Sequence, residues 1–214
     1  MGAILPILTA VAAGYLSGAL PFGVWLGRAL RGVDVREHGS RNLGATNVYR
    51  VLGPGIGIPT LLLDVLKGAL PTWIVPSLPA LAGFPGGREG CAVTVGLAAV
   101  AGHIWTCFAG FKGGKGVATT LGVLLALAPA AFGAFVAVFV AAVAITRYIS
   151  LGSVLGSLAF TATLAWRSGW DARSPLLWTG VALASLVIAR HRENLHRLWR
   201  GEERRFSFKG EGPA

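Results

Sequence analysis

Charge is what this sequence has least of. Only 13% of its 214 residues are Asp, Glu, Lys or Arg, against about 25% in a soluble domain. The deficit excludes an ordinary water-soluble fold, which at this length would have to bury nearly every helix on all faces. Cysteine is nearly absent as well. Cys91 and Cys107 are predicted in one helix, about 24 Å apart at ~1.5 Å per residue. They cannot bond each other and read as small apolar fillers. Whole motifs are missing too. There is no Gly-x-Ser-x-Gly nucleophile elbow. There is no His followed five residues on by Asp, because Leu43, Phe108, His196 and Gly201 follow the four histidines at that distance. No carboxylate pair suits glycoside chemistry, and no aromatic–basic platform suits nucleic acid. His191 and His196, without carboxylates in pattern, make no metal site. The sequence therefore predicts neither metal nor cofactor.

What is present is apolar. Hydrophobic residues make up 54% of the chain, and several runs exceed the ~20 residues that span a bilayer. Seven spans are predicted, at 3–27, 55–77, 90–110, 116–128, 130–146, 151–167 and 175–190. A rival reading fuses 116–146 into one helix and gives six. The first run is too long for a signal-peptide core and lacks a basic leader, so it counts as a span. No soluble domain is expected before or after the spans. The 31 glycines fit close helix packing in lipid.

Basic residues choose between seven spans and six. With seven, one face collects fifteen of the nineteen Lys and Arg residues. They come from the first loop (Arg28 to Arg50), from Lys112, Lys115 and Arg147, and from the tail (Arg190 to Lys209). The other face holds Arg88, Arg167 and Arg173, and Lys67 lies within a span. Six spans would set the basic tail opposite the basic first loop. The positive-inside rule favours seven, with the N-terminus outside and the C-terminus cytoplasmic. The expected fold is an all-α polytopic membrane protein of seven transmembrane helices, forming one domain over 1–214. In that topology three polar segments emerge on the cytoplasmic side, where they are expected to converge.

The middle segment is Phe111–Thr120, FKGGKGVATT. Gly113, Gly114 and Gly116 would let backbone N–H groups turn toward one point as an anion nest. A helix starting near Val117 would add its N-terminal N–H groups and dipole, and Lys112 or Lys115 a full charge. The Walker pattern is not met, since Ala109 and Gly116 occupy its first and last positions, and a nucleotide triphosphate cradle is disfavoured. The bland alternative is a flexible turn carrying ordinary positive-inside lysines. The first loop, DVREHGSRNLGATNVYRVLG from Asp34, groups Ser40, Asn42, Thr46 and Asn47 with Arg41 and Arg50, which can fork onto phosphate. Its length exceeds that of a usual connection; the alternative is a solvated interfacial loop. The tail opens HRENLHRLWRGEERRF at His191. His191 and Asn194 share one helical face if the last span continues. A basic amphipathic anchor on the membrane surface is the rival reading.

Two charges fall inside the second span. Asp64 and Lys67 stand at i, i+3 and are expected to pair near its cytoplasmic end, buttressing the site. His103 is read as a satisfied core histidine, with support of the site as the rival role. Two other function classes fit the sequence less well. A transporter would need a site near the midplane open to both sides, whereas the outer loops here are poor in ligands. A lipid phosphotransferase would bring metal-binding carboxylates to the cytoplasmic loops, where only Asp34, Glu37 and the tail glutamates stand.

Taken together, GSRNLGATNVYR, GHIWTCFAGFKGGKGVAT and HRENLHRLWRGEE resemble, in order, the three cytoplasmic motifs of the bacterial acyl-phosphate:glycerol-3-phosphate acyltransferases. The similarity covers essentially the whole chain. Arg41 stands where the family often has Gly, and Trp105-Thr106 replaces the more usual Phe-Pro. The resemblance implies an inner-membrane enzyme with its site on the cytoplasmic side. It implies transfer of a fatty acyl group from acyl phosphate to the 1-hydroxyl of glycerol 3-phosphate, giving lysophosphatidic acid and phosphate. It implies, too, that neither acyl-CoA nor acyl-carrier protein serves as donor. The partners it implies are the two substrates, membrane lipid and, as a candidate, the enzyme that supplies acyl phosphate; nucleic acid is not among them. On that footing Ser40, Arg50, Lys115, His191 and Asn194 are the expected catalytic residues. Asn42, Thr46, Lys112, Gly113, Gly114 and Gly116 are expected to bind substrate, with Asp64, Lys67 and His103 in support. The residues leave open whether His191 or the substrate phosphate takes the proton, and which phosphate the glycine–lysine loop holds.

Overall fold

The structure is a computed structural model, and it describes residues 4–207. Lys209, counted above among the tail charges, lies outside the described residues. All regular elements among them are helical. Residues up to Leu127 form one compact unit, and Ala128 to Phe206 form a second.

The first unit contains α1 (Ile4–Ala19), α2 (Phe22–Arg31), α3 (Ala45–Leu52), α4 (Pro54–Ile74), α5 (Gly87–Ile104) and α6 (Val117–Leu127). The expected first span is interrupted: α1 stops before Pro21, and α2 restarts at Phe22 and runs on to Arg31. Proline has no N–H to donate and disfavours helical backbone in the residue before it. In an apolar setting the carbonyls released by such a break need partners. The Lys67 ammonium donates to the Leu20 carbonyl at 2.7 Å, and the Thr106 hydroxyl donates to the Ala19 carbonyl. The break is thus closed by groups from α4 and from the turn after α5.

Glycine sets how closely these helices approach. A methyl at Gly14 or Gly18 of α1 would strike the Val95 or Ala99 carbonyl of α5, and one at Gly102 would strike Tyr15. Gly68 of α4 meets Thr119 of α6 in the same way, and Gly122 of α6 meets Val65. Backbones packed to this distance gain dispersion contacts that lipid cannot supply.

The second unit contains α7 (Pro129–Thr146), α8 (Ile149–Arg167), α9 (Pro175–Arg190) and α10 (Arg192–Trp199). Gly152 and Gly156 of α8 leave room for Phe139 and Phe135 of α7, and Phe135 stacks on Phe160 with centroids 6.2 Å apart. Pro129 is the first residue of α7, and Ala128 before it is non-helical (φ −149°, ψ 73°). One continuous helix over 116–146 is therefore not formed.

Among the described residues, five helical segments are long and apolar enough to cross a membrane: Ile4–Arg31, Pro54–Ser77, Gly87–Ala109, Pro129–Thr146 and Ile149–Arg167. Val117–Leu127 and Pro175–Arg190 are apolar but shorter. Large apolar side chains such as Leu5, Ile145 and Trp166 face outward, which only a lipid surround accommodates at this density. Cys107 lies in a 3-10 turn, Cys107–Ala109, past the end of α5 rather than in one helix with Cys91, and both thiols are free.

Candidate functional site

The first loop is more built than a connector. Asp34 accepts from Arg28 and from Arg36, each at 2.7 Å. The Arg36 hydrogen bond holds the Asp34 carboxyl well below the usual carboxylate range against the opposing effect of burial. Asn47, 2% exposed, is the hub: its Oδ1 accepts from the Ser40 N–H at 2.8 Å. Its Nδ2 donates to the carbonyls of Val35 at 2.9 Å and His38 at 3.2 Å. Gly39 (φ +60°) sits so close to Asn47 Oδ1 that no side chain fits there. Asn42 spends its Oδ1 on the Gly44 N–H at 2.8 Å, a local Asx turn that sets up the entry to α3. Thr46 and Arg50 then lie on α3, and the Ser40 side chain is exposed on the loop surface. Asn47 was visible in the sequence only as one of several small polar residues. Its role as a bracket depends on carbonyls up to twelve residues away.

The glycine–lysine loop departs from the expected nest. The Gly113 N–H donates to the Ile104 carbonyl at 3.0 Å and the Gly114 N–H to the His103 carbonyl at 3.1 Å. Both amides close the C-terminal end of α5 and do not point at a common anion. The glycines are required by contact instead: a methyl at Gly113 would strike the His103 carbonyl, and one at Gly114 would strike His103 Nε2. Gly116 is left-handed (φ +83°) and turns the chain into α6. The donors left for an anion are those every helix start leaves open, the N–H groups of the first turn of α6 from Val117. Lys115 stands directly before that turn, and Lys112 is exposed.

Behind the loop is a buried ion pair. Lys67 Nζ lies 2.7 Å from Asp64 Oδ1, with both side chains 2% exposed. The pair sits at the middle of the 21-residue α4, not near one end as expected. His103 Nδ1 is 3.8 Å from the same carboxylate oxygen. The Ser17 hydroxyl donates to the Lys67 carbonyl at 3.0 Å.

In the second unit the last long helix does not continue through the tail. His191, at φ −104°, separates α9 from α10, so His191 and Asn194 do not share one uninterrupted helical face. His191 is buried, and its Nδ1 is 2.7 Å from the Val187 carbonyl. A carbonyl only accepts, so Nδ1 carries the proton in that contact, and in the neutral ring Nε2 is the accepting nitrogen. The Asn194 amide donates to Glu203 Oε1 at 2.6 Å. The same carboxylate accepts from Ser150 at 2.7 Å and from Arg197 Nε at 2.8 Å. Burial pushes the Glu203 carboxyl up, and the hydrogen bonds from Asn194, Ser150 and Arg197 outweigh it, leaving it below its ordinary value. Glu203 is the residue that sequence reasoning missed. It read as one of several tail glutamates, and nothing in its spacing marks it out.

The glycerol-3-phosphate acyltransferase family model matches residues 8–201. The chain is 48% identical over 198 residues to a glycerol-3-phosphate acyltransferase of Anaeromyxobacter sp. (strain Fw109-5), covering 92% of this chain and 95% of the relative. It is 48% identical over 200 residues to that of Geobacter sulfurreducens, covering 94% and 96%. Two solved structures of PlsY (YgiH), an integral membrane glycerol 3-phosphate acyltransferase, also match. They are a glycerol 3-phosphate form and a lysophosphatidic acid form, with TM-scores of 0.82 and 0.80 at 37% identity; each match covers 94% of this chain and 96% of the neighbour.

Proposed function

Because the chain belongs to the glycerol-3-phosphate acyltransferase family and is an integral membrane acyltransferase, we propose that its donor is acyl phosphate and its acceptor the 1-hydroxyl of sn-glycerol 3-phosphate. The products are lysophosphatidic acid and inorganic phosphate. The observation that carries this reading is the pair of related PlsY structures, one in a glycerol 3-phosphate form and one in a lysophosphatidic acid form. They bracket the acceptor before and after acylation.

The reaction needs little covalent chemistry from the protein. The acceptor oxygen bonds to the acyl carbonyl carbon, the bond from that carbon to the phosphate oxygen breaks, and the hydroxyl proton is taken up by a base. Acyl phosphate is already activated, so positioning and charge stabilisation supply the catalysis. Lys115 and the first turn of α6 hold one phosphate, with Ser40 and Arg50 contributing to it and Lys112 adding local positive potential. Gly113, Gly114 and Gly116 shape that loop. Asn42 and Thr46 are assigned to glycerol 3-phosphate by the first motif, and His191 and Asn194 by the third. His191 Nε2 is suited to accept the hydroxyl proton, and the leaving phosphate is the competing acceptor.

The whole chain acts as one catalytic domain. The basic residues support seven crossings with the N-terminus outside and the C-terminus and the reaction on the cytoplasmic side, and the family resemblance makes the membrane the bacterial inner membrane. The enzyme that makes acyl phosphate is the partner this chemistry calls for.

The test is turnover of purified protein in lipid. Palmitoyl phosphate with glycerol 3-phosphate should release phosphate and form lysophosphatidic acid. Turnover from acyl-CoA and none from palmitoyl phosphate would overturn the donor. Lys115→Ala and Arg50→Ala should each remove most activity while the protein still inserts.

A further inference from the structure

The Asp64–Lys67 pair is costly where it sits. Two opposite charges taken out of water cost several kcal/mol each before their attraction returns any of it, and hydrophobic residues would fill the middle of α4 more cheaply. Part of the pair closes the break after α1, through Lys67 and the Leu20 carbonyl. An uncharged donor would suffice for that. What an uncharged donor would not provide is a carboxylate facing His103. Asp64 Oδ1 faces Lys67 Nζ at 2.7 Å on one side and His103 Nδ1 at 3.8 Å on the other. The opposite edge of the same imidazole, Nε2, lies against Gly114 so closely that no side chain could be added there. The His103 carbonyl takes the Gly114 N–H at 3.1 Å. The ring is therefore held between a fixed charge and the backbone two residues before Gly116, the left-handed residue that opens α6.

We propose that Asp64, Lys67 and His103 form a positioning relay for the glycine–lysine loop, in which the ion pair orients the His103 ring and the ring and its carbonyl set the backbone of Gly113–Gly114. That placement fixes where Lys115 and the first turn of α6 stand. The relay touches no substrate, and its effect on catalysis rests on the reading that this loop holds a substrate phosphate.

The test separates the relay from that reading. Amide hydrogen exchange of residues 112–117 is followed in lipid, without substrates, for His103→Asn and Asp64→Asn. Asp64→Asn strands Lys67, so Asp64→Asn/Lys67→Met is measured beside it. Each variant should exchange at least tenfold faster across 112–117 while the rest of α4 and α5 stays protected. Turnover should then show the Michaelis constant for one phosphate substrate raised and the other unchanged, with kcat/KM down by up to ~10²-fold, the scale of a ~1 Å misplacement. The effects of Asp64→Asn and His103→Asn should not add, because one acts through the other. Unchanged exchange at 112–117 in His103→Asn and in the double variant would overturn the relay whatever the activity. Normal turnover of Lys115→Ala would instead remove the phosphate role of the loop.

Discussion

Two carboxylates organise two regions of this chain on opposite terms. Asp64 sits in the middle of a long apolar helix and meets its countercharge on that helix, one turn on at Lys67. Glu203 stands in the tail beyond α10, and collects an amide from Asn194, a guanidinium from Arg197 and a hydroxyl from Ser150, fifty-three residues away. Asp64 depends on one strong partner. Glu203, with a side chain only 8% exposed, is satisfied by three separate donors. The number of partners thus sets what each loses: Asp64 without Lys67 has no second countercharge on its helix, whereas Glu203 deprived of one donor keeps two.

The contrast is tested most severely at Asp64. Asp64→Ala leaves the Lys67 ammonium buried without its carboxylate, and breaking a buried pair costs about 3–5 kcal/mol. Thermal unfolding in detergent should fall steeply or the protein should fail to insert. Asp64→Ala/Lys67→Met should recover most of that loss, since neither charge is then left in the interior. A double variant no better than the single would show that the ion pair itself, not its charge balance, holds α4.

Glu203 should respond more gently. Glu203→Gln keeps the shape but turns one acceptor oxygen into a donor facing donors, an expected loss of about 1–3 kcal/mol confined to the tail. Its pH behaviour follows from the sign of its shift. The folded carboxyl titrates below its ordinary value, so the folded state favours the ionised form. The stabilisation is complete above the ordinary glutamate value, about 4.3, and drains as pH falls through the lower folded value. Amide exchange in α10 should accelerate over that acidic window in the native chain and stay flat in Glu203→Gln. The same drift in both would assign the effect to another group.

These two regions also show what a sequence discloses. Asp64–Lys67 was legible as a pair because helical periodicity puts i and i+3 together and lipid makes charge conspicuous. Its mid-helix depth was not, because span ends are read from apolar runs whose limits are loose. The helical segments were legible for the same reason, whereas the break at Pro21 was hidden inside an unbroken apolar run. Glu203 was illegible: its partners come from α8 and from α10, and only the folded tail assembles them. The glycine–lysine loop was legible in kind but not in detail. Glycine composition marked it as special, yet the physical demand on Gly113 and Gly114 is close approach to His103, which a nest and a packing contact write in the same letters.

Thr106 and Arg41 sharpen the contrast from the neutral side, where the chain departs from the family pattern with no carboxylate in play. Thr106 has φ −67°, a value proline adopts freely. Its hydroxyl caps the Phe108 N–H at 3.2 Å and reaches the Ala19 carbonyl. Thr106→Pro should therefore fit the backbone but lose those bonds, about 1–3 kcal/mol, chiefly for the Ala19 carbonyl left without the hydroxyl, read as a fall in the unfolding temperature.

Arg41 should show the smallest effect. It is exposed and holds φ +57°, a left-handed conformation that costs a residue with a Cβ about 1–2 kcal/mol. The surrounding loop is braced by the uncharged Asn47, so the strain is borne by hydrogen bonds to backbone rather than by an ion pair. Arg41→Gly removes the strain but widens the freedom of the unfolded chain, which returns about 0.4–1 kcal/mol of the gain. The net is a stabilisation of about 0.5 kcal/mol, or roughly 1–2 °C in a chain of this size, with Ser40 and Asn42 left in place and turnover retained. A fall in the unfolding temperature would mean that the guanidinium, not the backbone, is what keeps arginine at this position.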